Sequence, residues 1–337
     1  MLRTYKFIQD PIFELHKMLQ HLVCEVWCNA SDENTCQQLI NSEFEVIYLE
    51  YDWLKEDVDK IYEECKPLLD DERGDIREAF YVNNRIEELC DGLEAIELGT
   101  LPKVVENSML PLLRKFYSRL LDLAKVPGNK LEYYNRLVND KYIYCPCCGI
   151  VKIEPEESAF REDNDHFFPI SKYPFAAINF NNLFPVCEKC NKKRKGTKTP
   201  QEHNGLAYYG FAKRDDIKVS VKINDSDDLD YLKLNTKDIS FSFTEDANKN
   251  STWNYLFGII ERYNKEVRDF SFTELRAIKN RIYLNKDINN GNPYDAILDF
   301  EIENYEADKY KESKFLKAAF LKEIKNRPEW MAVYNKD

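Results

Sequence analysis

Apolar positions recur at helical spacing through the first third of the chain. Ile12, Leu15, Leu19, Leu22, Val23 and Val26 predict a helix over 11–28. Asp10-Pro11 supplies its start, because a proline in the first turn gives up no helical hydrogen bond. Ile47, Leu54, Val58 and Ile61 predict a second helix over 43–65, and the pattern continues over 75–97. It returns over 101–125 through Val104, Val105, Leu112, Leu113, Phe116, Leu120 and Leu121. Pro127-Gly128-Asn129 breaks that run, and a short helix is expected over 130–139. After a linker at 205–210 the period changes. Residues 218–223 and 239–243 alternate with period two, which predicts a small antiparallel sheet. Helices are expected again over 253–267, 271–284 and 306–325.

At 337 residues the chain exceeds what one hydrophobic core usually serves. The pattern divides it into a helical domain at 1–139, a central module at 140–210 and a C-terminal α+β domain at 211–337. The fold class expected is mainly α and multi-domain.

Composition narrows the setting. No run of about 18 apolar residues exists, so no membrane span is expected. The first residues lack a signal peptide's apolar region, and ten cysteines without an export signal point to thiols and metal in a reducing cytoplasm. The net charge of −12 is unevenly spread. Residues 1–139 carry 27 Asp and Glu against 16 Lys and Arg, whereas residues 140–337 carry 33 against 32. Residues 186–198 hold six basic side chains and one acidic. The acidic helices suit a protein partner, and the basic stretch suits a polyanion, since the local field governs such encounters.

That basic stretch closes the part of the chain richest in chemistry. In order come Cys145-Pro146-Cys147-Cys148-Gly149, Asp165-His166-Phe167-Phe168-Pro169, Asn181-Asn182-Leu183, Cys187-Glu188-Lys189-Cys190-Asn191 and Lys195-Gly196. Two Cys-x-x-Cys pairs separated by 38 residues suit one tetrahedral zinc, held by Cys145, Cys148, Cys187 and Cys190. Cys147 is the spare, because using it would break the knuckle spacing. Four thiolates leave zinc no open position, so its role is structural. A carboxylate at Asp165, an imidazole at His166 and an amide oxygen at Asn191 suit metal-assisted phosphodiester hydrolysis with Mg²⁺ or Mn²⁺. Lys192, Lys193, Arg194 and Lys195 are expected to grip the phosphate backbone, with DNA as the expected substrate and RNA left open. Asp163 is either an extra ligand or an exposed loop carboxylate. His16 and His21 read as structural, and Cys24, Cys28, Cys36, Cys65 and Cys90 as small buried hydrophobes. Adjacent strand residues face opposite ways, so Asp165 and His166 require a strand that twists or ends there.

The order of these elements over 141–200 resembles the HNH endonucleases, whose fold is the ββα-metal (His-Me) finger. The resemblance implies that Asp165 binds the catalytic metal and His166 is the general base. It further implies that Asn182 braces the loop behind the base, with Asn181 competing for that role. Asn191 would be a second metal ligand where many members carry His, and its neutral oxygen favours Mg²⁺ or Mn²⁺ over softer ions. The run from Asp165 through Pro174 is similar to HNH proteins of bacterial anti-phage systems, including the Septu type, which pair with an ATPase. An antiviral nuclease controlled by a partner protein is therefore implied. The alternative is a non-catalytic zinc module that binds nucleic acid or protein.

Overall fold

The computed structural model describes residues 1–138, 142–154, 164–225, 229, 234–285, 293–327 and 330. Among them the chain is mainly helical with a few short strands. No helix is long and apolar enough to cross a membrane. Two compact units are present: one comprises Thr4–Tyr142 and Ile153–Lys213, the other Met1–Arg3, Ile143–Lys152 and Arg214–Asp337.

The first unit opens with α1 (Phe13–His21), which runs on through a wide π turn (Leu22–Val26) and a 3₁₀ turn (Trp27–Asn29). The expected stripe of Ile12, Leu15, Leu19, Leu22, Val23 and Val26 is fully buried. After α2 (Cys36–Leu39), the helix expected over 43–65 divides into α3 (Ser42–Glu50) and α4 (Asp52–Cys65). Tyr51 adopts an extended backbone between them, and Asn41 caps α3 by accepting from the Phe44 N–H at 3.0 Å.

The helix expected over 75–97 likewise divides, into α5 (Asp70–Asn83) and α6 (Ile86–Cys90). Asn83 explains the stop. Its buried amide donates to the Ile96 carbonyl at 2.8 Å and accepts from the Ile96 N–H at 2.9 Å, folding the following chain back on itself. Then come α7 (Leu110–Ser118), preceded by a π turn at Val105–Met109, and α8 (Lys130–Val138).

Two three-residue strands follow, β1 (Asn164–His166) and β2 (Leu183–Pro185), paired antiparallel with Asp165 opposite Phe184 and His166 opposite Leu183. A seven-residue π-helix, Lys189–Lys195, comes next. The helices seat this segment through aromatic contacts: Phe180 packs edge-on against Tyr133 at 5.2 Å and against Phe13 at 6.2 Å.

In the second unit the alternating segments form β3 (Val219–Ile223) and β4 (Ile239–Phe243), an antiparallel pair with Val221 opposite Phe241. Four helices follow: α9 (Ala247–Phe257), α10 (Ile259–Asn285), α11 (Pro293–Ala307) and α12 (Lys314–Lys325). The boundaries differ from the periodicity. Gly258, with φ +61°, ends α9, whereas α10 runs without a break through 268–270. Its inner stripe includes polar Ser271 and Glu274 between Val267 and Leu275, which interrupts the apolar signal, and Lys317 pairs with Glu274 at 2.8 Å. The helix expected over 306–325 begins only at Lys314, because Glu312 and Ser313 take positive φ at its start.

Candidate functional site

The first cysteine knuckle is built from backbone. The Cys145 N–H donates to the Val151 carbonyl at 2.8 Å and the Gly149 N–H to the Cys145 carbonyl at 2.7 Å. Gly149 sits at φ +70°, and a Cβ there would lie 2.6 Å from Leu2 Cδ2 and 2.8 Å from the Phe315 ring. Only glycine serves that position. Trp253 Nε1 donates to the Cys147 carbonyl at 3.1 Å and the Tyr263 hydroxyl to the Cys148 carbonyl at 3.0 Å. In the second knuckle the N–H groups of Cys190 and Asn191 both donate to the Cys187 carbonyl, at 2.9 and 3.0 Å.

Cys145 and Cys148 are buried in the second unit and Cys187 and Cys190 in the first, and these four residues could hold a metal such as zinc. Cys147 is buried but lies outside the cluster, as its spacing implied.

Asp165 and His166 end β1, and their side chains take different partners. The Asp165 carboxylate is buried, and its Oδ1 accepts from Lys195 Nζ at 3.0 Å. Its Oδ2 is buried with no hydrogen-bond partner among the described residues. Burial pushes this carboxyl above the usual range, and the Lys195 ammonium pulls it the other way. A carboxylate with one stranded oxygen is an acceptor for a further cation.

His166 Nε2 donates to the Ala177 carbonyl at 2.8 Å. In the neutral ring that bond leaves the lone pair on Nδ1. Burial pushes the imidazole down to about 4; the Ala177 carbonyl opposes this, and the Lys195 charge adds to it. The Tyr117 ring on α7 packs edge-on against the imidazole at 4.5 Å, while its hydroxyl donates to the Asn164 carbonyl at 2.9 Å. Nothing in the sequence linked Tyr117 to the Asp-His pair, because 49 residues separate it from His166 and its neighbours on α7 are ordinary core residues.

Asn182 is fully buried and grips the loop that begins after His166. Its Oδ1 accepts from the Phe168 N–H at 2.8 Å, and its Nδ2 donates to the carbonyls of Phe168 at 2.9 Å and Ala176 at 3.3 Å. Asn181 is half-buried, and among the described residues its side chain accepts only a long 3.4 Å bond from the Tyr209 hydroxyl.

Asn191 is half-buried in the first turn of the π-helix, and its carbonyl receives the Gly196 N–H at 2.7 Å. Lys195, at the other end of the same helix, reaches Asp165. Lys192 and Lys193 are exposed and Arg194 is half-buried. Lys195, expected to face a nucleic acid with them, is instead buried with its ammonium on Asp165 and on the His166 carbonyl at 2.6 Å. A run of four cations looks uniform in sequence, but one of them points inward. Asp163 lies outside the described residues.

The chain is 42% identical over 59 residues to the Septu protein PtuB of Bacillus thuringiensis, which is 18% of this chain and 20% of that protein. It is 31% identical over 106 residues to protein ea31 of Escherichia phage lambda, 32% of each chain. The matches thus span about a fifth to a third of the curated relatives' length. No family model matches the chain, and no solved structure does.

Proposed function

We propose that the chain is a metal-dependent endonuclease of the HNH kind that hydrolyses phosphodiester bonds in DNA as an effector of anti-phage defence. The observation that carries this reading is the pairing at the end of β1. There an imidazole anchored through Nε2 stands beside a buried carboxylate with one oxygen unpartnered. The partial likeness to the Septu protein supports the defence setting.

Asp165 Oδ2 and the Asn191 amide oxygen would hold Mg²⁺ or Mn²⁺, a donor set of hard oxygens suited to those ions. When bound, such an ion polarises the scissile phosphate and stabilises the leaving oxygen. His166 Nδ1 takes the proton of the attacking water. The Ala177 carbonyl fixes the tautomer that makes Nδ1 the acceptor, and Tyr117 limits how the ring can turn. Asn182 holds the loop that presents that carbonyl. The exposed Lys192 and Lys193 hold the phosphate backbone in register. Zinc on the four cysteines is structural. The acidic N-terminal helices offer a surface for a regulatory partner, and we take an ATPase, the kind of partner that the resemblance in sequence implies, as the candidate.

Purified protein incubated with supercoiled plasmid should nick or linearise it with Mg²⁺ or Mn²⁺ and not with EDTA. His166→Ala should lower the rate by about 10² to 10⁴, the usual worth of positioned proton transfer. One observation favours a non-catalytic binding module: Asp165 already has a cation in Lys195. Plasmid bound but never cut, with either metal and with the partner added, would decide for that module.

A further inference from the structure

Lys195 is the inward-facing member of an otherwise outward-facing basic run. Its side chain is 1% exposed, and its ammonium reaches Asp165 Oδ1 at 3.0 Å, the His166 carbonyl at 2.6 Å and the Gly196 carbonyl at 3.4 Å. A buried ammonium persists only when paired, and among the described residues its one ionic partner is the Asp165 carboxylate. The pair is neutral as it stands. Lys195 cannot simply swing out to solvent, because its stem is enclosed and its helix is closed behind it by the bond from Gly196 N–H to the Asn191 carbonyl. The same carboxylate therefore offers Oδ2 to an incoming cation while its charge is already balanced through Oδ1.

We infer that Lys195 is a built-in counter-ion that keeps this site weak for divalent cations until a phosphate group adds its own negative charge. Metal and polyanion then load together. The inference rests on the nuclease reading of the site and adds to it a form of regulation. Without Lys195 the two candidate ligands would present one negative charge; with it they present none. A divalent ion is repelled by the ammonium in a partly buried setting, where such repulsion is only moderately screened. Mg²⁺ and Mn²⁺ give up their waters to anionic oxygen, so a neutral site is a poor bargain for them until the phosphodiester arrives. By linkage, the polyanion tightens the metal by the same factor that the metal tightens the polyanion. A nuclease so built stays unarmed in the absence of substrate, even at cellular magnesium.

The test uses the full zinc-loaded chain carrying His166→Ala, so that DNA survives. Mn²⁺ binding is followed by the loss of the free-ion signal in electron paramagnetic resonance, with and without a double-stranded oligonucleotide. The oligonucleotide should tighten Mn²⁺ binding by roughly 5- to 150-fold, the usual range of such coupling. Adding Lys195→Gln, which keeps a donor for the His166 carbonyl but no charge, should tighten Mn²⁺ without DNA by on the order of tenfold or more and shrink the effect of DNA. Lys195→Arg, which keeps the charge, should bind Mn²⁺ as weakly as the His166→Ala chain.

The gate is overturned if the Gln and Arg variants bind Mn²⁺ equally while retaining their zinc and melting temperature. Should Lys195→Gln fail to fold, the Lys195-containing chain decides: Mn²⁺ affinity indifferent to the oligonucleotide overturns the gate just as well. Asp165→Asn separates the two readings. If Mn²⁺ binding does not depend on Asp165, the nuclease site itself is refuted. If it does depend on Asp165 but not on the charge at 195, only the gate falls.

Discussion

Replacing Asn182 with leucine keeps the branched heavy-atom skeleton and removes every polar atom of a side chain that is completely enclosed. Two backbone groups, the Phe168 N–H and the Phe168 carbonyl, lose their partner, while the Ala176 carbonyl loses one of two donors and keeps the Asn179 N–H at 3.3 Å. Each buried group left unpaired costs about 1–3 kcal/mol, so about 3–5 kcal/mol is expected once the loop has relaxed toward water. That is a large part of the about 5–15 kcal/mol that holds a typical domain together. The effect should be local first, because these bonds all close the loop between His166 and Asn182. Native-state hydrogen exchange is therefore the assay. Amides around Phe168 and Ala177 should exchange on the order of a hundredfold faster, since each ~1.4 kcal/mol is a factor of ten. The chemistry should suffer in step, because the carbonyl of Ala177 that orients the imidazole rides on this loop. Asn181→Ala serves as the contrast: with only its long bond to Tyr209, it should cost less than about 1 kcal/mol and leave exchange in the loop unchanged. Equal protection of the loop in Asn182→Leu and the parent would refute the reasoning, and so would a larger effect from Asn181.

Cys148→Ser should lose zinc and destabilise the protein, whereas Cys147→Ser should keep the metal; zinc content by atomic emission separates them, and equal loss would mean the cluster has been misassigned. Lys193→Ala should weaken DNA binding uniformly across sequences and reduce its salt dependence by about one phosphate contact, as read from affinity at several salt concentrations. An unchanged slope would remove Lys193 from the interface. His16 stacks on Phe80 at 5.5 Å with its Nδ1 buried and without a partner among the described residues, and burial lowers it from 6.5 to about 4. The fold prefers the neutral ring, so this contribution is complete above pH 6.5 and is lost as the pH falls from 6.5 toward 4. His16→Gln should therefore lose less melting temperature between pH 7 and pH 5 than the parent, and an equal loss would contradict the burial argument.

Spacing along the chain made the cysteine cluster legible, because a knuckle is a local object: two residues between thiols and a glycine able to turn left-handed already specify it. The alternating pair β3 and β4 was legible for the same reason, with Val221, Ile223 and Ile239 all buried. Helix boundaries were less so. Asn83 ends α5 through a partner 13 residues away, and Glu274 continues α10 through a lysine on α12. Such contacts leave no trace in local periodicity. The site divides along the same line. Asp165, His166 and Asn182 stand out by order, but the inward turn of Lys195 depends on an exposure that residue type does not reveal. The approach of Tyr117 depends on tertiary packing alone.

The π-helix Lys189–Lys195 has consequences for engineering. It begins at Lys189, carries Cys190 and Asn191 next, shows Lys192 and Lys193 to solvent, and ends at Lys195 on the carboxylate of Asp165. Its inward position is tied to its length, because inserting or deleting one residue after Cys190 would rotate Lys195 away from Asp165. Its outward positions carry no such constraint. On the proposed reading, recoding Lys192 and Lys193 to acidic, neutral or aromatic side chains would retune affinity for a polyanion while Lys195 keeps its place. The segment is thus rigid in length and permissive in letters.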